Sequence, residues 1–213
     1  MKKIKTKSLK KVILFAVLFC AFPSLGHAQD FIDRWHFNID WQVNIPVSTS
    51  FADKASGWGA NFEGGYEVLP NWSVGAFINY HSNHRYIPRT TLHISETQTL
   101  NTDLQQSTFQ LPFGLSTRYW TPLKSNHFKP YIGLKLGTMY SESSAYTSLV
   151  RVYDNPWGFY ISPEIGINIR PVAYKRLGFH AAFYYNYATN KSKVLSYSVD
   201  GLNNLGFRFG VCF

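Results

Sequence analysis

The sequence predicts an all-β protein, an antiparallel up-and-down transmembrane β-barrel of eight strands, on three observations. Apolar and polar residues alternate with period two in eight segments, the signature of strands with one apolar and one polar face. The connections between these segments alternate between short and long. The polar faces carry Gly, Ser and Asn where a soluble barrel would carry dense Lys and Glu.

The start of the chain stands apart from this pattern. "MKKIKTKSLKK" is basic, and "VILFAVLFCAF" (Val12 to Phe22) is apolar yet too short to span a bilayer. "SLGHAQD" follows, with the small residues Gly26 and Ala28 placed for a cut after Ala28. Residues 1–28 therefore read as a secretory signal peptide and residues 29–213 as the barrel. The formal charge is +9, but the first 28 residues hold six lysines and no acid, which leaves +3. A nucleic-acid partner loses its electrostatic basis. Cys20 falls in the signal peptide and leaves Cys212 alone, so neither an intramolecular disulfide nor a Cys-based metal site is expected.

The eight segments can be taken in order. The first sets Phe37, Ile39, Trp41, Val43, Ile45 and Val47 against Asn38, Asp40, Gln42 and Asn44. The second sets Trp58, Ala60, Phe62 and Tyr66 against Asn61, Glu63 and Gly65. Trp72, Val74, Ala76, Ile78 and Tyr80 then oppose Ser73, Gly75 and Asn79. Phe109, Leu111, Phe113, Leu115 and Tyr119 oppose Gln110, Gly114, Ser116 and Arg118. Ile132, Leu134, Leu136, Thr138 and Tyr140 oppose Gly133, Lys135 and Gly137. The sixth segment has Trp157, Phe159, Ile161, Ile165, Ile167 and Ile169 against Ser162, Glu164 and Asn168. The seventh runs from Phe179 to Tyr187 with His180 and Asn186 on its polar side. The eighth sets Leu205, Phe207, Phe209, Val211 and Phe213 against Asn204, Gly206, Arg208 and Gly210. Residues 68–72, 121–127 and 171–176 read as short turns, and 48–57, 82–107, 141–156 and 188–203 as long polar loops at the opposite end.

The polar faces decide which side meets lipid. Small residues suit the lumen of an eight-stranded barrel, which has only just enough room for side chains. The apolar faces then turn outward, as in membrane barrels. A luminal charge network is expected, with Asp40, Glu63 and Glu164 opposing Arg118, Lys135 and Arg208. Phe77, Tyr131, Tyr160 and Tyr184 are expected to fill the remaining lumen, and Gly133 to accept Ser with little effect. Trp35, Tyr66, Trp72 and Tyr119 fall at the short-turn end of the apolar faces. Trp58, Tyr80, Tyr140, Trp157 and Tyr187 fall at the long-loop end, which gives the two aromatic girdles of a membrane barrel.

With these residues in view, the chain resembles the small eight-stranded outer-membrane β-barrels of Gram-negative bacteria, of the OmpX/OmpA-barrel type, and the outer-membrane β-barrel group common in Bacteroidetes. The resemblance is carried by the leader ending in "GHAQD", the four long loops and the last strand "NLGFRFGVCF". It implies a place in the cell outer membrane among outer-membrane lipid and lipopolysaccharide. It also implies that the barrel-assembly machinery reads Phe209, Val211 and Phe213 as an assembly signal. The fold itself hosts many activities.

Chemistry is sparse. The function expected first is a structural scaffold whose surface loops bind or adhere, with the connection 81–107, the longest, as the site for a surface ligand. Two alternatives stand beside it: a lipid A-modifying, deacylase-like enzyme and a narrow small-solute conduit. The enzyme reading turns on "YHSNHRY", where His81 and Ser82 are adjacent and so fall on opposite faces of a strand. His81, His84 and His93 lack the acidic or Cys partners of a metal site. No phosphate loop, dinucleotide fingerprint or zinc-protease motif is present, and no cofactor or catalytic residue is assigned.

Overall fold

The computed structural model describes residues 34–213 apart from 48, 96–97, 123–124, 126, 148–149, 173–176 and 196. The leader expected over residues 1–28 lies outside the described residues. The strands are β1 (Trp35–Pro46), β2 (Gly59–Leu69), β3 (Trp72–Ser95), β4 (Gln98–Trp120) and β5 (Phe128–Tyr146). They continue with β6 (Arg151–Asp154), β7 (Trp157–Ile169), β8 (Gly178–Val194) and β9 (Tyr197–Cys212).

Eight of these form a closed antiparallel ring, in which each strand pairs with its neighbours in the order β1, β2, β3, β4, β5, β7, β8 and β9. Closure comes from β1 on β9, in register from Asn38↔Cys212 to Pro46↔Asn204. The last residue completes it: Phe213 N–H donates to the Phe37 carbonyl at 2.9 Å, and Phe37 N–H donates to the Phe213 carbonyl at 3.2 Å. A ring without edges is one of the two ways a backbone can satisfy its hydrogen bonds inside a bilayer. β6 is a ninth, short strand outside the ring that pairs only with the outer end of β5.

Side-chain direction follows the alternation. Leu115 is 66% exposed and Ile165 66% exposed on the outer wall, whereas Asn44, Asn61, Ser162 and His180 are 0% exposed inside. Both expected girdle sets lie on the outer wall: Trp72, Tyr119 and Trp35 at the short-turn end, and Trp58, Tyr80 and Trp157 at the other. The tight β2–β3 turn is made by Asn71 at φ 64°, a left-handed position that Asn tolerates better than most residues.

Three of the four expected long loops are strand. β3 and β4 stay paired out to Ser95↔Gln98, β8 and β9 out to Val194↔Tyr197, and β5 and β6 pair from Ser143↔Asp154 to Tyr146↔Arg151. The barrel wall therefore continues well past the outer girdle. Its polarity changes there: apolar residues join Asn83, Gln106 and Ser192 on the inward face. Inside the extension Phe51, Leu104, Ala145, Val194, Val199 and Leu202 form a buried apolar cluster, while Tyr86, Asp103, Lys191 and Asp200 point outward. Below the girdle the same strands are polar inside and apolar outside, because lipid has replaced water around them. Residues 49–57 alone remain a loop, and Phe51 and Ala52 are folded into the mouth at 2% and 1% exposure.

Two substitutions on β5 separate the faces. Leu134→Arg puts a charge on the lipid side between the level of Tyr119, which pairs with Ile132, and that of Tyr140, at an expected cost that rises toward about 2–4 kcal/mol at the midplane. Gly133→Ser is not the mild change that alternation suggests: a Cβ there would lie 2.9 Å from Glu164 Cγ. Urea unfolding of the lipid-inserted barrel should show both destabilised, and a water-soluble thiol reagent should fail to label Leu134→Cys.

Candidate functional site

The lumen between the girdles is built from one or more inward side chains of every ring strand. Glu63 from β2 receives Arg118 Nε of β4 at 2.7 Å and Lys135 Nζ of β5 at 2.7 Å. Glu164 from β7 receives Lys135 Nζ at 3.2 Å, Arg118 Nη2 at 3.5 Å and a closer contact from Arg208 Nη1 of β9. All five side chains are at most 1% exposed. Two carboxylates thus hold three cations, and each cation but Arg208 touches both.

Asp40 on β1 stands slightly apart. The sequence sets it against Arg or Lys; the structure gives it His180 Nδ1 of β8 at 2.6 Å and the Asn61 amide at 2.6 Å. Asn61 Oδ1 accepts from Lys135 Nζ at 2.9 Å and so links Asp40 to the main cluster. On the far side of His180, the Tyr131 hydroxyl lies 2.7 Å from Nε2 and donates to Glu164 Oε1 at 3.0 Å. β3 joins through Asn79, whose amide oxygen, oriented to face its donors, accepts from Arg208 Nη2 at 3.2 Å. The aspartate binds a histidine because its nearest inward neighbours across β2 and β9 are Asn61 and Gly210. His180, Tyr131 and Asn61 are the members that a search for opposed charges passes over; their inward parity was the signal.

Aromatic rings cover both ends of the cluster. Arg118 Cζ sits 4.3 Å from the Tyr131 ring centroid, and Trp120 packs on Tyr131 at 5.1 Å with His36 edge-on to Trp120 at 5.8 Å. Toward the outside, Arg208 Cζ lies 4.1 Å from the Tyr184 ring, and Phe77 packs on Tyr160 at 5.7 Å. Phe77 and Tyr160 begin the apolar cluster that Phe51 and Ala52 close, with Ala52 N–H donating to Gln106 Oε1 at 3.2 Å. The lumen is filled at three successive levels. Stacking of this kind ties strands together; it leaves no wide channel for solute.

The residues singled out in "YHSNHRY" separate cleanly. His81 is 1% exposed and points inward to Gln42 Nε2 at 3.1 Å, while Ser82 points outward. His84 is two residues on and shares the outer face, and its Nε2 lies 3.3 Å from Ser82 Oγ. Ser82 adjoins His81 in the chain, but strand parity makes His84 the histidine that meets it. His81 and His84 face opposite sides of the wall and converge on no common site, and the side chain of His93 lies outside the described residues. Phe209, Val211 and Phe213 line the outer wall of the closing strand and its end.

A closed ring of eight strands with a polar, filled lumen, an apolar outer wall and aromatic rims defines an integral outer-membrane β-barrel. The chain belongs to the family described as outer membrane protein beta-barrel domain, whose pattern it matches over residues 13–213. The protein therefore resides in the cell outer membrane. No curated protein sequence matches it. Among solved structures it is similar to Neisserial surface protein A (NspA), at 14% identity and a TM-score of 0.50, covering 84% of this chain and 95% of that one. It is also similar to Ail, the attachment invasion locus protein of Yersinia pestis, at 13% identity and a TM-score of 0.44, over 84% and 97% of the two chains. OprG from Pseudomonas aeruginosa matches at 13% identity and a TM-score of 0.43, over 84% and 93%. Likeness at such identity concerns the fold.

The luminal cluster can be tested as a unit. Glu164→Gln removes the partner of three cations, and breaking a buried pair typically costs about 3–5 kcal/mol. We expect Glu164→Gln combined with Arg208→Gln to cost less than the sum of the two single changes, measured as a double-mutant cycle on urea unfolding. Strict additivity would mean that the two side chains do not interact.

Proposed function

We propose that this barrel is a structural outer-membrane scaffold whose protruding extension binds a ligand at the cell surface, and that it is not primarily an enzyme. The observation that carries this reading is the cored extension. The β3–β4 hairpin and its neighbours rise past the girdle as paired strands around a buried apolar cluster. Such a platform holds its outward residues in fixed positions, which lowers the entropy lost on binding. Arg85 pins the β1–β2 loop to it by donating to the Ser50 carbonyl at 2.8 Å and to Asp53 Oδ2 at 2.9 Å.

The arrangement also says where to cut. The sequence alone suggests removing residues 86–105, yet Leu104 is 0% exposed in the cluster and Ile87, its cross-strand partner, packs against it. Replacing residues 88–103 by an Asn-Gly turn keeps both. The shortened protein should retain the heat-modifiable gel mobility of a folded barrel and lose binding to host matrix, sugars or partner proteins by at least tenfold. Full retention of binding would move the site away from this hairpin.

One contact supports a second reading. Ser82 Oγ and His84 Nε2 sit 3.3 Å apart on the outer wall, one pleat above the girdle residue Tyr80. A serine hydroxyl beside an imidazole that can serve as its base is the minimum arrangement for acyl hydrolysis. Incubation with a fluorophosphonate probe should label Ser82 and spare the His84→Ala protein if this pair is activated. An unlabelled wild-type protein would retire the enzyme reading.

A further inference from the structure

The outer wall just above the girdle is not uniform around the ring. Over β8 and β9 it carries Lys191 and Asp200, an ion pair whose side chains are each 74% exposed. Over β3 to β6 it carries a flat aromatic and polar grid set by strand register. Tyr86, Gln105, Tyr146 and Arg151 are successive cross-strand partners and form its upper row. His84, Ser107 and Tyr153 form the row beneath, with Ser144 between the last two in register but buried at 3% exposure, and Ser82, Phe109 and Glu142 form the lowest. Tyr86 is 58% exposed, Tyr153 57% and Tyr146 39%. The Arg151 guanidinium lies over two of these rings, with Cζ 5.1 Å from the Tyr146 centroid and 5.0 Å from the Tyr153 centroid, and it also pairs with Glu142. The Tyr86 hydroxyl donates to Asp103 Oδ2 at 3.1 Å.

We propose that this grid is a binding surface for the uncharged sugars of the outer-leaflet glycolipid that stands beside the barrel. Height selects the partner. The three rows lie two, four and six residues past Tyr80, which is about 7–20 Å along a strand and about 5–15 Å above the girdle at a tilt of about 40°. At that level the neighbour of an outer-membrane barrel is saccharide. Composition selects the chemistry. Exposed tyrosine faces take the C–H faces of sugar rings at low entropic cost. The Gln105 amide, the hydroxyls of Ser82 and Ser107, the carboxylates and the guanidinium provide donors and acceptors for ring hydroxyls. Charge excludes the other headgroup chemistry: Arg151 is the grid's one cation, and Glu142 and Asp103 oppose it. A phosphate site would require cations in excess. This surface is the side wall of the extension, distinct from the hairpin tip, so cutting residues 88–103 tests the tip and removes only Asp103 here.

The mature full-length barrel is placed in nanodiscs of lipopolysaccharide bearing its core sugars and, in parallel, of lipid A stripped of them. Amide hydrogen exchange over residues 103–109, 142–147 and 150–153 should slow several-fold with the core sugars relative to lipid A. Combined Tyr86→Ala, Tyr146→Ala and Tyr153→Ala should abolish the difference and weaken binding of the released core oligosaccharide about tenfold, whereas Arg151→Lys should retain most of it. Equal exchange of the wild-type protein in the two nanodiscs overturns the proposal. So does protection confined to the hairpin tip, or protection that appears only with a protein ligand. The wild-type comparison decides the matter even where the triple variant does not fold.

Discussion

Everything in this molecule depends on closure of the ring. A sheet inside lipid has no water to satisfy its edges, so the first and last strands must find each other. Here β1 meets β9 in an unbroken register, and the C-terminal Phe213 is bonded in both directions to Phe37. Once eight strands are committed to a ring, the radius is fixed. The backbone is also drawn close: Gly114 and Gly137 face each other across β4 and β5, where a Cβ on Gly137 would fall 2.1 Å from the Phe113 carbonyl oxygen. Only glycine allows that approach, and the inward faces hold several for related reasons.

The narrow lumen then dictates its own chemistry. A charge there has no bulk water, so it must find an opposite charge and further hydrogen bonds. The cluster meets this with three cations and three carboxylates, Asp40 being joined through Asn61 and His180. Because each ring strand contributes a member, the network is also a statement of register. A slip of one residue on any strand would turn its polar members into lipid and leave their partners unpaired. A fully paired buried cluster adds little net stability, but a buried charge left without its partner is severely penalised. Such a network therefore favours the correct barrel over shifted ones.

Alternation made the membrane-spanning part legible in the sequence. Phe37 to Val47 and Leu205 to Phe213 are unambiguous because lipid demands an apolar wall at every second position. What the sequence hid is the extension, and the reason is physical. Past Tyr80 the solvent outside changes from lipid to water, so Ser82, His84 and Lys191 take the outward positions and Leu104, Val194 and Val199 the inward ones. Along the apolar face the pattern weakens as it would in a loop, whereas the strand continues with apolar residues entering its inward face and polar ones its outward face. The same change concealed the Ser82–His84 contact, since chain adjacency matters less than parity once a strand is known to persist. Parity alone points Asp40 inward, but no period in the sequence could supply its partners, which come from β2 and β8.

The zone past the girdle is also where specificity can reside without endangering the fold. Below the girdle, each outward position is constrained by lipid and each inward one by its neighbours in a packed lumen. Above it, the apolar cluster built on Leu104, Ala145 and Val199 secures the strands from inside, and Phe51 caps it with its ring 5.9 Å from Tyr197. The outward side chains are then relieved of any structural duty beyond solubility. Three tyrosines and an arginine gathered on β3 to β6, with plain charges on β8 and β9, are difficult to explain by solubility alone. Exposed aromatic surface carries a cost in water that charged residues avoid. Among the described residues it gathers on one side of the ring just above the girdle, the pattern expected of a surface that meets a partner there.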